Sequence, residues 1–201
     1  MKKERRTQAE RRAATRAAVV ESACRLFGRK GFAETSLDEI ASAAGVTIGP
    51  IYHYFGSKLA LFEAVNEIME ERIIDSLQKS DGGAMDAWRL FLVLCEDTEF
   101  RRIVLVDGPN ILGRDRWATS PVMRTVTARS GDANDVSEEN GPSHLALRIL
   151  VGALTQAALA IAESDDPTET SAEAETTVSA ILSALALRRR PDESGAPRSR
   201  G

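Results

Sequence analysis

Apolar residues along this chain recur three and four positions apart, and hardly any segment alternates with period two, so the pattern predicts helices throughout and an all-α fold. A first helix is expected over about 12 to 29, with Val20, Ala23 and Phe27 on one face and Gly31 as its stop. Ser36, Leu37, Asp38 and Glu39 read as a capping box, in which a hydroxyl and a carboxylate satisfy free amides at a helix start, and the short helix they open ends at Gly45. Thr47 is placed to cap the next short helix, whose first turn holds Pro50 without loss of a bond, and Ser57 to cap a longer one reaching about Lys79. Further helices are expected over about 84 to 98, 100 to 107, 111 to 129, 143 to 164 and 168 to 187, about nine in all. Breaks fall at Asp81-Gly82-Gly83, at Gly108-Pro109, in the polar loop 130 to 142 and at Asp165-Asp166-Pro167. The last is a full start signal, with Asp166 as cap, Pro167 as first helical residue and Glu169 three beyond the cap.

Within this series, Leu37, Ala41, Gly45, Ile51 and Tyr54 have the spacing of a helix-turn-helix. Two short helices that cross steeply tolerate only a small side chain where they touch, which Ala41 supplies, and Gly45 suits the left-handed backbone of the turn. Val46 and Ile51 are expected to wedge between the helices, with Leu37 and Ile40 facing the first helix. Thr47, Ile48, Gly49, Pro50, Tyr52 and His53 then point outward. In such a unit the second helix enters the DNA major groove, its N-terminal residues nearest the bases and its dipole favouring phosphate. Thr35 and Lys58 flank it and are placed to hold backbone phosphates, positioning without specifying. The expected organisation is a flexible basic arm at 1–12, a DNA-binding domain at 13–57, a second helical domain at 58–187, and a disordered Arg-, Pro- and Gly-rich tail at 188–201.

Charge supports this division. Residues 1–60 carry a net +5, residues 61–187 a net −12 and residues 188–201 a net +3, so a basic head sits on an acidic body whose overall charge is −4. A basic segment suits a polyanion, because neutralising phosphates releases counterions. The 201 residues, 43% hydrophobic and 28% charged, suit one modest globular unit or two small ones. No apolar run reaches the roughly 18 residues a membrane helix needs, and the start of the chain lacks the apolar middle of a secretion signal, so a cytoplasmic location without membrane contact is expected. Cys24 and Cys95 stand apart in apolar stretches and offer neither a disulfide framework nor a metal site. An enzyme is disfavoured: phosphate-loop, dinucleotide, nucleophile-elbow and zinc-protease motifs are absent, and His53 and His144 are the only histidines. No cofactor is expected. The acidic stretch from Asp132 to Glu139 has Val136 and Ser137 where a calcium loop needs a ligand and a turn glycine.

Residues 15 to 65 closely resemble the N-terminal domain of the TetR (tetracycline-repressor) family of transcription regulators. The resemblance rests on Ala23, Leu26-Phe27, Gly31-Phe32, Thr35-Ser36, Ile40-Ala41, Ala44-Gly45-Val46, Ile51-Tyr52, Tyr54-Phe55 and Ser57-Lys58, all in the family's spacing. It implies a homodimer that binds a palindromic double-stranded DNA operator and releases it on binding a small effector, with residues 58–187 as the effector-binding and dimerisation domain. The positions matching family DNA contacts are Thr35, Ser36, Thr47, Ile48, Pro50, Tyr52, His53 and Lys58. Family members often carry a basic or small polar residue where this chain has Ile48, and Thr or Ala where it has Pro50. Base readout is therefore expected to lean on His53, on thymine methyls or on basic residues of the arm. The different-class alternative is a helical small-molecule-binding protein without operator-specific DNA binding.

In the second domain the segment 143 to 164 is apolar nearly all round, which means burial on several sides. Gly152, Ala153, Ala157 and Ala160 permit close helix contact, and Val178, Ile181, Leu182 and Leu185 form a stripe on the final helix. Together they suggest a four-helix bundle across a two-fold axis, which would set the recognition helices roughly 34 Å apart. Trp88, Phe91, Leu92, Cys95, Phe100, Val104, Trp117, Met123 and Leu159 either line an effector cavity or pack as core, and the sequence leaves both open. Their apolar character predicts a largely apolar effector, oriented by Asp107, Asn110 or Gln156.

Overall fold

The structure is a computed structural model that describes residues 7–79, 84–113, 116, 120–122, 124–125 and 144–187. Helices α1 (Gln8–Lys30), α2 (Leu37–Ala44), α3 (Ile48–Phe55) and α4 (Lys58–Lys79) are followed by α5 (Ala84–Cys95) and α6 (Thr98–Arg101). A π-helical segment (Arg102–Asp107) then runs directly into α7 (Gly108–Ile111), and α8 (His144–Glu163) and α9 (Pro167–Leu187) end the described chain. No strand forms among the described residues.

Local chemistry sets the starts and stops. Ser36 and Glu39 form the expected capping box on α2, and Gly45 ends that helix at φ 67°, in the left-handed region. The Ser57 hydroxyl accepts the Ala60 N–H at 3.1 Å, and Asp166 Oδ1 accepts the Thr168 and Glu169 N–H groups at the start of α9. Two expectations are corrected. Residues 8–12 are helical rather than a flexible arm, because Thr7 and Glu10 make a second capping box that starts α1 four residues early; the earlier part of the arm and the tail lie outside the described residues. Gly108-Pro109 is no break: Pro109 falls in a first turn, where no N–H is required, and the Gly108 N–H donates to the Ile103 carbonyl in the wider π pattern. The Asp81-Gly82-Gly83 junction lies outside the described residues, as does much of the helix expected over 111 to 129.

One apolar core joins the N-terminal helices to the body. Val19, Ala23 and Phe27 of α1 bury against Ile40 and Ala41 of α2, Ile51 of α3 and Leu61, Phe62 and Val65 of α4. The Phe27 and Phe62 rings meet edge-on at 5.2 Å, and Phe32 and Phe62 at 5.1 Å. Phe100, Ile103 and Val104 continue the same core from α6 and the π segment. Polar ties reinforce that seam. The Phe32 N–H donates to Asp107 Oδ2 at 2.8 Å, and Arg102 reaches the Lys30 carbonyl at 3.3 Å. Gly28 packs so closely on Glu99 that a Cβ would stand 2.4 Å from the Glu99 Cβ.

Candidate nucleic-acid interface

The α2–turn–α3 unit presents a short helix whose outer residues are largely unspent. Thr47 has extended backbone (φ −79°, ψ 165°) at the start of α3, but its hydroxyl makes no cap bond. Gly49 faces open space, Tyr52 is 53% exposed and His53 is exposed. Buried Ile51 holds the helix to the core from its other side, and Arg16 of α1 lies 5.4 Å over the Phe55 ring. Pro50 is half-buried and Ile48 packs partly against the core, so the first turn offers an apolar shoulder beside the Thr47 hydroxyl.

The flanking residues differ from expectation. Thr35 is corrected: it is 1% exposed, and its hydroxyl donates to the Gly31 carbonyl at 2.8 Å and reaches the Leu26 carbonyl at 3.2 Å, so it locks the corner after α1 and is not turned outward. Ser36 is exposed but shares its hydroxyl with Glu39. Glu39 also pairs with Lys30 at 2.6 Å; that contact, with the Ser36 amide, holds its carboxyl down to about 2. Lys58 donates to the Ala33 carbonyl at 3.2 Å and lies 4.5 Å from the Phe32 ring centre, which fixes an ammonium at the start of α4 with donors to spare.

The candidate effector residues do not converge on one site. Phe100 and Val104 are fully buried core, Asp107 is taken by the Phe32 amide, and Asn110 is exposed with its amide donated to the Val106 carbonyl. Gln156 is exposed on α8, which removes it as an orienting group inside the domain. Trp88 is buried, with Phe91 tilted 6.0 Å from it. Leu92 and Cys95 line a cleft of about 630 Å³ between α5, α8 and α9, whereas Leu159 lines a different groove of about 480 Å³ near Arg101 and Arg102. Trp117 and Met123 lie outside the described residues. Burial pushes the Cys24 thiol up to about 11 and the Cys95 thiol to about 12, so both stay protonated at neutral pH.

The candidate dimer residues also divide. Gly152 and Ala160 are exposed on α8, while Ala153 and Ala157 are half-buried. Val178 is corrected to the core, at 2% exposure, and Leu182 packs partly against that core beside half-buried Ile181; the Leu185 side chain lies outside what is described. The outward stripe consists instead of Leu145, Ile149, Gly152, Gln156 and Ala160, with Leu145 66% and Ile149 61% exposed.

Sequence reasoning missed Asn66 and Glu70. Both are buried on α4, 1% and 2% exposed, and joined by a 2.7 Å bond from Asn66 Nδ2 to Glu70 Oε1. The available signal was their spacing, which puts both on the face that carries Phe62, Ile73 and Leu77. Burial raises the Glu70 carboxyl above its ordinary range, against the pull of Arg116 and the Asn66 bond.

Comparison with known proteins agrees with this architecture. Residues 19–65 match the family described as bacterial regulatory proteins, tetR family, and residues 82–185, more than half of the chain, match the one described as tetracyclin repressor-like, C-terminal domain. The chain is 37% identical over 100 residues to the HTH-type transcriptional regulator AcrR of Shigella flexneri, covering 46% of each protein. It is 44% identical over 57 residues to the HTH-type transcriptional regulator TtgR of Pseudomonas putida, covering 28% of this chain and 27% of that one. These matches span under half the length of each relative. Among solved structures, a TetR-family transcriptional regulator from Pectobacterium atrosepticum is 29% identical with a TM-score of 0.59, covering 90% of this chain and 97% of that one. Another from Streptomyces coelicolor, 21% identical, reaches a TM-score of 0.63 over 89% and 90% of the two chains, a likeness of fold alone. With both of its parts matched, the chain belongs to the TetR family, a family of transcriptional regulators rather than enzymes.

Proposed function

We propose that this protein is a ligand-responsive, sequence-specific DNA-binding regulator, a repressor that acts as a homodimer and releases a palindromic operator when a small effector occupies the second domain. The observation that carries this reading is the outer surface of α3, where an unspent Thr47 hydroxyl, Gly49, Tyr52 and His53 stand clear on a rigidly backed helix. Such a surface fits a major groove: Thr47 meets phosphate or a base edge, His53 reads a base, and Ile48 with Pro50 suits a thymine methyl. Lys58 sits where it would position the backbone, whereas the Ser36 hydroxyl is committed to Glu39. The Asp107 bond to the Phe32 amide supports coupling, since any movement of the π segment pulls on the corner that follows α1. An effector that favours one arrangement by about 3 kcal/mol would weaken operator binding on the order of 100-fold.

Gel-shift titration with duplexes from the promoter region of the protein's own gene tests this. The expected result is one duplex bound at least about 1,000-fold more tightly than random DNA at physiological salt; equal binding to all duplexes overturns the reading. Lys58→Ala should weaken all sequences alike and lower the salt slope by about one, whereas His53→Ala should change preference at one position per half-site.

A further inference from the structure

Where the DNA-binding head meets the body, a groove of about 480 Å³ opens between the end of α1, the α6–π segment and the end of α8. Arg29 lines it from α1, Arg101 from α6, Arg102 from the π segment and Glu163 from α8, so three guanidinium groups from separate elements share the groove with a single carboxylate. Among the described residues none of these four makes an ion pair, which leaves an excess of two positive charges. The neighbouring acids are placed elsewhere: Glu96 lines the larger cleft beside α9, Asp97 pairs with Arg72, and Glu99 packs on Gly28 with its charge bearing on Cys24. Two of the guanidinium groups are held in place through one bond each. Arg101 Nη1 donates to the Cys95 carbonyl at 2.6 Å, and Arg102 Nη2 donates to the Lys30 carbonyl at 3.3 Å, packed so tightly on Gly31 that a Cβ there would stand 2.6 Å from it. Their other N–H groups are left to spend. A cleft lined by one sign of charge concentrates counter-ions, and guanidinium groups arriving from different directions suit an anion with several acceptor oxygens, a phosphoryl group better than a lone carboxylate. Val106, 40% exposed, and half-buried Leu159 add an apolar wall to the same groove.

We propose that Arg29, Arg101 and Arg102 form a binding site for an organic phosphate monoester, with the dianionic phosphoryl group among the three guanidinium groups and the organic part against Val106 and Leu159. The site is separate from the interior of the second domain and does not depend on what binds there. A bound phosphoryl group would touch Arg29 of the head and Arg101 and Arg102 of the body at once, so it bridges the two parts.

Three probes separate charge from the apolar part: phenyl phosphate, phenyl sulfate of the same shape but one charge fewer, and inorganic phosphate, each titrated by calorimetry into the DNA-free full-length protein. The pH is held at about 7.5, above the second phosphate pKa of about 6. Phenyl phosphate should bind about tenfold more tightly than phenyl sulfate, with inorganic phosphate weaker than phenyl phosphate by about threefold or more. Arg29 and Glu163 are exposed and make no bond that the fold relies on, so both can be changed safely. Arg29→Gln should weaken phenyl phosphate by about tenfold, and Glu163→Gln, which removes the one carboxylate in the groove, should tighten it by about threefold. No binding, equal binding of the two esters, inorganic phosphate binding as tightly as phenyl phosphate, or either variant leaving the affinity unchanged overturns the proposal. Gel shifts of Arg29→Gln on random duplex across a salt series add a last check. An unchanged salt slope is expected, whereas a slope lower by about one would make Arg29 a contact to the DNA backbone and the groove part of the nucleic-acid interface, which also overturns the proposal.

Discussion

Two hydroxyl residues at neighbouring helix starts separate structure from recognition. The Ser36 hydroxyl is spent on the Glu39 amide and carboxylate, whereas the Thr47 hydroxyl has no such bond. Ser36→Ala should therefore cost about 1 kcal/mol of stability, while Thr47→Ala should stay within about 0.5 kcal/mol and still weaken operator binding, a contrast that urea denaturation and gel shift read directly. A buried carboxylate gives the opposite kind of test. The folded pKa of Glu70 is raised above its ordinary 4.5, so its protonated form is favoured in the fold; stability is full at lower pH and is lost as pH rises through the raised value. Glu70→Gln escapes that loss. Its stability should match the wild type near pH 4 and exceed it by about 1 to 3 kcal/mol at pH 8, measured by urea midpoints across the range. A wild-type curve that rises over this interval relative to Glu70→Gln would mean that a cation within the protein already pairs with Glu70.

At the scale of elements, what could be read along the chain was what neighbours in sequence decide. The capping box on α2, the left-handed Gly45 and the Asp166-Pro167 start of α9 depend on three or four consecutive residues, and each stands where the pattern put it. The α2–α3 crossing was legible for the same reason, with Ala41 small at the contact and Ile51 buried. Thr35 was not, because its burial depends on the corner between α1 and α2 closing over it. Nor could spacing tell which side of α9 faces inward: Val178 and Leu182 make a stripe whether the partner is α8 or another subunit, and here the core takes them. Gly108-Pro109, which follows the π segment, was read as a break because that pair usually stops a helix, whereas here glycine is required by contact with Asn66. Gly108→Ala would push a methyl against the Asn66 oxygen and the rigid Ile103 carbonyl and should cost about 1 to 3 kcal/mol. Gly49→Ala, which adds a methyl in open space on a helix, should instead stabilise by up to about 1 kcal/mol. Denaturant midpoints of the two variants shifting the same way would show that helix propensity, not this packing, controls both.

At the scale of the whole molecule, reading a palindrome requires two copies held at a fixed spacing, so the surface that joins them matters as much as α3. That surface is proposed on the outer face of α8, since Leu145, Ile149, Gly152, Gln156 and Ala160 lie at three- and four-residue spacing with two large apolar side chains more than 60% exposed. Apolar groups of that size seldom stand in a row on a free surface, and small residues between them allow a second helix to approach closely. Ile149→Arg places a charge in the middle of the stripe without touching the buried core, so the subunit should keep its helical content and thermal transition at low protein concentration. Sedimentation should then report monomers where the wild type reports dimers. Operator affinity should fall by orders of magnitude on the full palindrome yet change little on an isolated half-site, because each head is intact and only the link between heads is gone. A variant that remains dimeric would move the interface off α8. A monomer that still binds the full palindrome as tightly as the wild type would show that the two heads need no fixed spacing.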